Sequence, residues 1–156
     1  MDHFPLAGPV QHLTFRMSDL YRILAIDYGA KRTGLAISDP LRMLARPYDT
    51  LRGASDDEIV ERVLAAVREE GVGAVVLGLP LGLEGHDTPQ TEITRAFAEK
   101  LAARLNIPIH LQDERYTSHD ANDILKSKGM SPRESRNHID ATAAAVLLRQ
   151  WLKEQE

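Results

Sequence analysis

One short run constrains the fold of this chain more than any other segment. Residues 74–79 are all apolar or glycine, and they form a run of strand length bounded by turn residues. A strand that is apolar on both faces has to be buried on both faces, which is the pattern of a parallel sheet covered by helices. Helix start signals lie on both sides of this run: a capping box at 55–58 before it, and Thr88 with Pro89 after it. The run therefore predicts an α/β domain with this strand inside the sheet.

The other apolar segments of the sequence predict the order and direction of the strands in the sheet. Residues 21–27 and 33–38 are apolar strands joined by a short turn with a glycine bend. A third strand is expected at 44–51, at an edge of the sheet, because Pro47 cannot donate a ladder hydrogen bond. The next strand after the central run is expected at 107–114. Three strands joined by short turns predict an antiparallel portion of the sheet.

Helical periodicity predicts the other half of the fold. One helix begins at Ser55 and ends at Gly71, and a second carries one apolar face; a shorter helix and then a final helix follow nearer the C-terminus. The face of the second helix is predicted to consist of Ile93, Phe97, Leu101 and Leu105, and the two later helices are predicted at 118–128 and 137–152. The order β-β-β-α-β-α-β-α-α predicts a five-stranded mixed sheet, with three antiparallel strands plus two parallel β-α units, flanked by helices.

Composition limits the class of protein. A chain of 156 residues, 43% hydrophobic and 27% charged, fits one domain, which we place at 20–153 with an N-terminal extension at 1–19. The net charge of -4 excludes a generally basic nucleic-acid binder but not a local basic patch. Cysteine is absent, which fits a reducing cytoplasm. No run approaches the roughly 18 apolar residues of a membrane span, so we expect no membrane partner.

Three acidic residues stand at the edges of apolar segments. Asp27 ends the first strand, Glu114 ends the strand predicted at 107–114, and Asp140 precedes an apolar helical run. Ionised carboxylates at such positions are costly unless something neutralises them. Strand alternation allows only one acid of the pair Asp113 and Glu114 to face Asp27, and we choose Glu114. A trio converging from two strands and a helix predicts a site for a divalent cation.

Oxygen ligands of this kind predict the chemistry. They select Mg²⁺ or Mn²⁺ over zinc, and ions held by carboxylates activate water for phosphodiester cleavage, which is nuclease chemistry. Each acid also has a simpler interpretation. Asp27 could cap a turn, Glu114 could pair with a neighbouring cation, and Asp140 could favour its helix N-terminus through the macrodipole. For any one of them alone, the simpler interpretation would be favoured.

Four motifs in order resemble a known family. They are Ile26-Asp27-Tyr28-Gly29 with Arg32-Thr33-Gly34, Val76-Leu77-Gly78-Leu79-Pro80-Leu81, Asp113-Glu114-Arg115-Tyr116-Thr117-Ser118, and Ile139-Asp140-Ala141-Thr142-Ala143-Ala144. They are similar to the motifs of the YqgF family, also called RuvX, over nearly all of the chain from about residue 20 to 152. The resemblance implies an RNase H-like fold related to the RuvC Holliday-junction resolvases. It also implies that Asp27, Glu114 and Asp140 are the catalytic acids and the metal ligands.

The same resemblance implies the substrates and cofactors. Members are described as nucleases that mature the 5′ end of pre-16S ribosomal RNA, and some as Holliday-junction resolvases that act with Mg²⁺ or Mn²⁺. One position departs from the RuvC pattern, because RuvC-like enzymes carry a second acid one helical turn before the last aspartate and this chain has Asn137 there. Three acids instead of four weaken the case for a tightly held second ion.

Basic residues near these acids predict contacts with nucleic acid. Two lie in the first turn, one follows Glu114, and four precede Asp140, where they could bind backbone phosphates. Tyr116 shares the strand face of Glu114 and could stack on an unpaired base. The predicted nucleic-acid-binding residues are Lys31, Arg32, Arg115, Tyr116, Lys126, Lys128, Arg133 and Arg136. Any one of these cations could instead belong to a solvated loop.

Two other functions compete with the nuclease. The residues around Asp27 and Gly34 also look like the first phosphate loop of actin-like ATPases, although 156 residues leave room for only one of their two lobes. The second alternative is a nucleic-acid or ribosome-associated binding module without catalysis. The nuclease substrate is either a four-way DNA junction or precursor ribosomal RNA. Junction cutting needs two symmetric sites and so predicts a homodimer, whereas RNA trimming does not.

Overall fold

A computed structural model describes residues 16–114 and 132–156 of the chain, with side chains in the second range from Ala143 onward. Five strands and three α-helices lie in these ranges. The strands are β1 (Arg22–Asp27), β2 (Arg32–Ser38), β3 (Ala45–Arg52), β4 (Val72–Leu79) and β5 (Ile109–Asp113). The helices are α1 (Asp56–Glu70), α2 (Pro89–Ala102) and α3 (Pro132–Glu154), and a short 3₁₀ turn, Met17–Asp19, precedes β1.

The strands form one mixed sheet in the order β3-β2-β1-β4-β5. The pairs β1–β2 and β2–β3 are antiparallel, and the pairs β1–β4 and β4–β5 are parallel. The predicted fold class is confirmed. Pro47 does lie in an edge strand, and the register of β3 shifts beside it, between Leu35 and Ala36 of β2. The apolar run predicted inside the sheet is β4, which lies between β1 and β5.

Alternation along the strands divides the core into two layers. Leu24 and Ile26 of β1 belong to the layer under α1 and α2, together with alternate residues of β4. Ile23 and Ala25 belong to the layer under α3, where Leu147 of the helix is fully buried. Because side chains alternate along a strand, the next position after Ala25 on the α3 face is Asp27. The first predicted acid therefore ends its strand under α3.

The first helix begins and ends where the sequence predicts, and the second begins where predicted but ends at Ala102, before Leu105 of the predicted face. Ser55 caps α1 by accepting from the Glu58 amide, and the Glu58 carboxylate accepts from the Ser55 amide in return. Gly71 ends α1 in the left-handed conformation at φ 68°. Thr88 caps α2, and Pro89 occupies its first turn. These local signals work because they satisfy backbone groups that have no partner inside the helix.

The buried face of α2 differs from the prediction. Phe97 and Leu101 are buried as expected, but Ile93 is 52% exposed and Thr94 is fully buried in its place. The Thr94 hydroxyl donates to the Gln90 carbonyl oxygen at 2.9 Å, so its polar atom is satisfied within the helix. A buried hydroxyl that bonds to its own helix carries little penalty. The apolar periodicity therefore predicted the helix correctly and its rotation wrongly.

The last helix is longer than predicted. It begins at Pro132 instead of residue 137 and runs to Glu154. The shorter helix predicted at 118–128 lies outside the described residues. No helix among the described residues is both long and apolar enough to span a membrane.

Candidate active site

Three parallel strands end at the same edge of the sheet. Asp27 is the last residue of β1, Leu79 is the last of β4, and Glu114 directly follows β5. The Glu114 amide donates to the Leu79 carbonyl oxygen at 3.2 Å, which fixes the backbone of Glu114 beside the end of β4. Ligand sites in open α/β sheets gather at the carboxyl ends of parallel strands. This edge, which we call the carboxyl edge, is the candidate active site.

Gly78 of β4 makes room for the second acid. A Cβ atom built on Gly78 would lie 2.9 Å from the Glu114 carboxyl carbon and would collide with Oε2. It would also lie 3.1 Å from Cδ2 of Leu147 on α3. The Glu114 carboxyl group therefore lies over Gly78, in the layer between the sheet and α3. Any side chain larger than hydrogen at this position would displace it.

The two acids meet there. The side chains of Glu114 and Asp27 are hydrogen-bonded, which requires a proton between the two carboxyl groups. Burial, the Asp27 charge and this hydrogen bond, with a smaller effect of Asp113, raise the pKa of Glu114 to about 10. Two adjacent carboxylates in a buried position cannot both ionise cheaply. The pair therefore carries a stored electrostatic cost that a bound cation would relieve.

The donor set fits a hard divalent cation. Both side chains present carboxyl oxygens, which are the ligands that hard divalent cations prefer. Without a cation, the pair lowers its charge repulsion by holding a proton on Glu114. Among the side chains that the structure describes, no group of three acids or histidines forms a metal-binding cluster. The third predicted ligand, Asp140, belongs to α3, but its side chain lies outside the described residues. Leu147 places α3 directly over Gly78, so the helix that carries residue 140 covers the same face.

The choice between Asp113 and Glu114 follows from strand geometry. Asp113 pairs with Leu79 in the β4–β5 register, and its charge adds to the rise in the pKa of Glu114. Glu114, one position later, faces the opposite side of the sheet from Asp113. Period-two alternation therefore selected the acid that the structure places beside Asp27.

Tyr28 fixes the strand end from the other face. Its ring stacks on Phe97 of α2, with centroids 4.2 Å apart, and its hydroxyl donates to Oδ1 of Asp56 at 2.7 Å. Lys100 donates to Oδ2 of the same carboxylate at 2.8 Å. Burial and Asp56 raise the pKa of Tyr28 to about 12, so the hydroxyl remains a donor. The residue next to Asp27 is thereby tied to both α1 and α2.

Sequence reasoning missed the roles of Gly78, Tyr28, Asp56 and Lys100. A signal for Gly78 existed, because glycine inside a β-branched strand marks a close approach by another group. No signal in the sequence connects Tyr28 with Asp56 and Lys100, since the three lie far apart in the chain and meet only when both helices pack on the sheet.

The predicted nucleic-acid contacts are only partly placed. Lys31 is exposed in the turn after β1, and Arg32 begins β2 half-buried. Four of the others, Arg115, Tyr116, Lys126 and Lys128, lie outside the described residues. Arg133 and Arg136 belong to the first turns of α3, without described side chains.

Comparison with known proteins gives the family. Residues 21–154 match the model of the RuvX family, described as Holliday junction resolvase. The chain belongs to the RuvX family. A relative from Maridesulfovibrio salexigens is 43% identical over 131 residues, which cover 84% of this chain and 97% of the relative. A relative from Anaeromyxobacter sp. is 40% identical, with 84% and 96% covered. Both carry the name "Putative pre-16S rRNA nuclease".

Solved structures share the fold of this RuvX-family chain at much lower identity. The Thermus thermophilus RuvC in complex with a Holliday junction substrate aligns with a TM-score of 0.56 at 14% identity, over 86% of this chain and 95% of that one. The fowlpox virus Holliday junction resolvase aligns with a TM-score of 0.54, also at 14% identity, over 85% and 99%. At this identity the likeness supports the RNase H-like fold alone.

Proposed function

We propose that this RuvX-family protein is a divalent-metal-dependent nuclease that hydrolyses phosphodiester bonds in structured nucleic acid at the carboxyl edge. Asp27, Glu114 and Asp140 are the proposed catalytic residues and ligands of Mg²⁺ or Mn²⁺. The observation that carries the proposal is the hydrogen-bonded pair of Asp27 and Glu114 over Gly78. A buried acid pair is costly for stability, so its presence at the edge where ligands bind points to a function.

Different residues of the chain have different proposed roles in the reaction. Asp27 and Glu114 provide oxygen ligands from two strands that neighbour the same central strand, so their separation is set by the sheet and not by a loop. Gly78 leaves room for the Glu114 carboxyl group beside Asp27. When bound, a divalent cation activates water and stabilises charge on the leaving oxygen. Lys31, in the turn after Asp27, and Arg32, the first residue of β2, are proposed to hold the backbone of the substrate by its phosphates.

The proton on the acid pair has a role before catalysis. Because Glu114 holds its proton far above the usual range, binding of a cation has to release that proton. The affinity for Mg²⁺ or Mn²⁺ is therefore expected to rise with pH. No covalent intermediate with the protein is needed, since water attacks the phosphorus directly.

Precursor ribosomal RNA is the favoured substrate. The relatives named for pre-16S ribosomal RNA are about 40% identical to this chain along most of their length, whereas the solved junction resolvases are 14% identical. A four-way DNA junction is the second candidate, because the family model is described by that activity. Junction resolution requires a homodimer with two symmetric sites, so oligomeric state separates the two candidates.

The test compares both substrates under the same conditions. Wild type and Asp27→Asn are incubated with a labelled pre-16S ribosomal RNA fragment and a labelled four-way DNA junction, with Mg²⁺, Mn²⁺ or EDTA. Cleavage that requires metal and disappears in Asp27→Asn supports the proposed site. The rate ratio between the substrates identifies the preferred one.

Three results would contradict the proposal. They are no cleavage of either substrate by wild type, equal cleavage by Asp27→Asn, and cleavage that persists in EDTA. Hydrolysis of ATP without nuclease activity would instead favour the actin-like phosphate-loop alternative. Binding of RNA without cleavage by wild type would favour the binding module.

A further inference from the structure

The loop between β2 and β3 displays apolar side chains to solvent. Leu41, Met43 and Leu44 are 53%, 73% and 74% exposed, and Met17, in the turn before β1, is 79% exposed. We call these four residues the apolar patch. They lie beside the start of β1, since β2 ends at Ser38, next to the first residues of β1. The patch is therefore about 20 Å from the carboxyl edge, by the length of a six-residue strand.

The loop that carries the patch is held rigidly. The Asp39 carboxylate accepts hydrogen bonds from the backbone amides of Leu41, Met43 and Leu44, at 3.0, 2.8 and 2.7 Å. Arg42 adopts a left-handed conformation, at φ 59°, which is uncommon for a residue other than glycine. A conformation of this kind persists only where its surroundings fix it. The exposed side chains are thus presented by an ordered loop.

Arg42 ties this loop to the beginning of the domain. Its guanidinium lies 3.9 Å from the centre of the Tyr21 ring. Its Nη1 donates to the carbonyl oxygens of Asp19, Tyr21 and Pro40, at 2.9, 3.1 and 3.0 Å. The 3₁₀ turn Met17–Asp19 is therefore attached to the loop. The described part of the chain therefore begins, at Arg16, beside the apolar patch.

Clefts on two sides of the patch could receive side chains. One, of about 290 Å³, lies between Leu41 and Trp151, and another of about 290 Å³ lies between Met43 and Arg149. Leu152 of α3 lines both. An exposed apolar surface with adjoining clefts is typical of a surface that another segment covers.

The sequence before the patch has the composition to cover it. Besides Met1, residues 1–15 include five large apolar residues and one charged side chain, Asp2. The apolar residues are Phe4, Leu6, Val10, Leu13 and Phe15. Fifteen residues reach up to about 50 Å when extended, well beyond the width of the patch. The family match begins at residue 21, and 131 residues of this chain already cover 97% of the Maridesulfovibrio salexigens relative.

We propose that residues 1–15 of this chain dock on the apolar patch, with their large apolar side chains in the clefts beside α3. Tethering at Arg16 supplies an effective concentration of the order of millimolar, so a weak contact suffices. The proposed docking covers the end of the domain opposite the active site and leaves the carboxyl edge open. In this proposal residues 1–15 are an addition to the RuvX domain, and the apolar patch is the surface of the domain that binds them.

Thiol labelling tests this without reference to nuclease activity. The chain has no cysteine, so Leu44→Cys introduces a single reactive thiol on the patch. Its reaction rate with a small thiol reagent is measured in the full chain and in a chain that begins at Met17. We expect labelling to be about tenfold slower in the full chain, as for a segment docked about nine-tenths of the time. Ile93→Cys, an exposed site on α2, is the control and should react equally in both.

Two further measurements remove the dependence on the truncation and on the introduced thiol. The full-length variant Phe4→Ser, Leu6→Ser and Val10→Ser, combined with Leu44→Cys, should label at the rate of the shortened chain. Peroxide oxidation of Met43, followed by mass spectrometry, should be slower in the unmodified full chain than in the chain from Met17. Equal rates in all forms would overturn the proposal. A rate that falls with rising protein concentration would also overturn it, by assigning the patch to a second copy of the chain.

Discussion

Two carboxyl groups at opposite ends of the sheet have opposite environments. Asp39, in the loop after β2, accepts hydrogen bonds from three backbone amides. Its partial burial alone would raise its pKa, but these amides outweigh it and lower the pKa below the usual range. Glu114, at the carboxyl edge, is buried against another acid, and its pKa rises to about 10. Asp39 stabilises its loop when it is ionised, whereas Glu114 is stable in its buried position only when it is neutral or bound to a cation.

The two environments correspond to different roles of an acidic side chain, one in folding and one in function. An acid whose hydrogen bonds are satisfied by the backbone contributes to folding and needs no ligand. An acid that its own fold leaves in an unfavourable state marks a place where the protein has given up stability. The carboxyl edge is the second kind of place.

The largest effect is expected from removing one charge of the acid pair. Asp27→Asn or Glu114→Gln should lower kcat by about 10³-fold or more, since a cation ligand contributes at least as much as one hydrogen-bond donor at a reacting oxygen. The measurement is single-turnover cleavage of pre-16S ribosomal RNA with Mn²⁺. Asp39→Asn, which changes the carboxylate at the opposite end, is the matched control and should retain wild-type kcat. Comparable losses in all three variants would mean that the two ends do not differ in function.

A smaller loss is expected when both acids remain but the room that Gly78 leaves for the Glu114 carboxyl group is filled. Gly78→Ala should displace Glu114 and reduce kcat by about 10²-fold, the scale of a 1 Å misplacement. Gly73→Ala, on the same strand, is the control, because its Cβ would lie 2.6 Å from the Tyr21 ring, far from the site. Both should lose about 1–3 kcal/mol of stability from overpacking, measured by urea denaturation. Only Gly78→Ala should lose activity, and a similar loss in Gly73→Ala would refute the positional explanation.

The pH dependence of stability should have opposite signs at the two ends. In the native state Glu114 keeps a proton that the unfolded chain releases. Without metal, the contribution of Glu114 to the free energy of unfolding therefore falls as pH rises from about 4.5 toward 10, by up to about 1.4 kcal/mol per pH unit. Asp39 stabilises the native state above its usual pKa of 3.8, and this contribution is lost as pH falls through its lowered value.

Thermal unfolding against pH measures both effects. Glu114→Gln should flatten the decline at high pH, and Asp39→Asn should flatten the decline at low pH. At pH 8, Mg²⁺ or Mn²⁺ should raise the Tm of wild type, by an amount that corresponds to about 2.7 kcal/mol at a hundredfold excess over Kd. Glu114→Gln should respond less. A metal-induced shift that is unchanged in Glu114→Gln would remove this residue from the ligand set.

The smallest effect is expected from the support behind Asp27. Tyr28→Phe removes the hydrogen bond to Asp56 but keeps the stacking on Phe97, and Asp56 still has Lys100. The expected cost is about 1 kcal/mol of stability, with kcat within a fewfold of wild type. Urea denaturation and cleavage rates measure the two. A loss of activity as large as that of Asp27→Asn would assign Tyr28 a direct role in the reaction.

Much of the fold was predictable because its signals are local. The capping residues Ser55 and Thr88 and the end of α1 at Gly71 act through neighbouring backbone groups, so they can be recognised in the sequence. The rotation of α2 could not be predicted, because exposing Ile93 and burying Thr94 depends on how the helix packs on the sheet. The left-handed Arg42 was also unpredictable, since only its contacts with Tyr21 and neighbouring carbonyls fix it.

For the site, local sequence patterns were enough to predict which acidic groups are available. They placed Asp27 and Glu114 at the ends of apolar strands and, through period-two alternation, selected Glu114 over Asp113. That the two carboxyl groups meet over Gly78 and share a proton follows from tertiary packing, because their distance depends on β4 lying between β1 and β5. Alternation is a property of one strand, whereas a shifted pKa is a property of everything packed around the group.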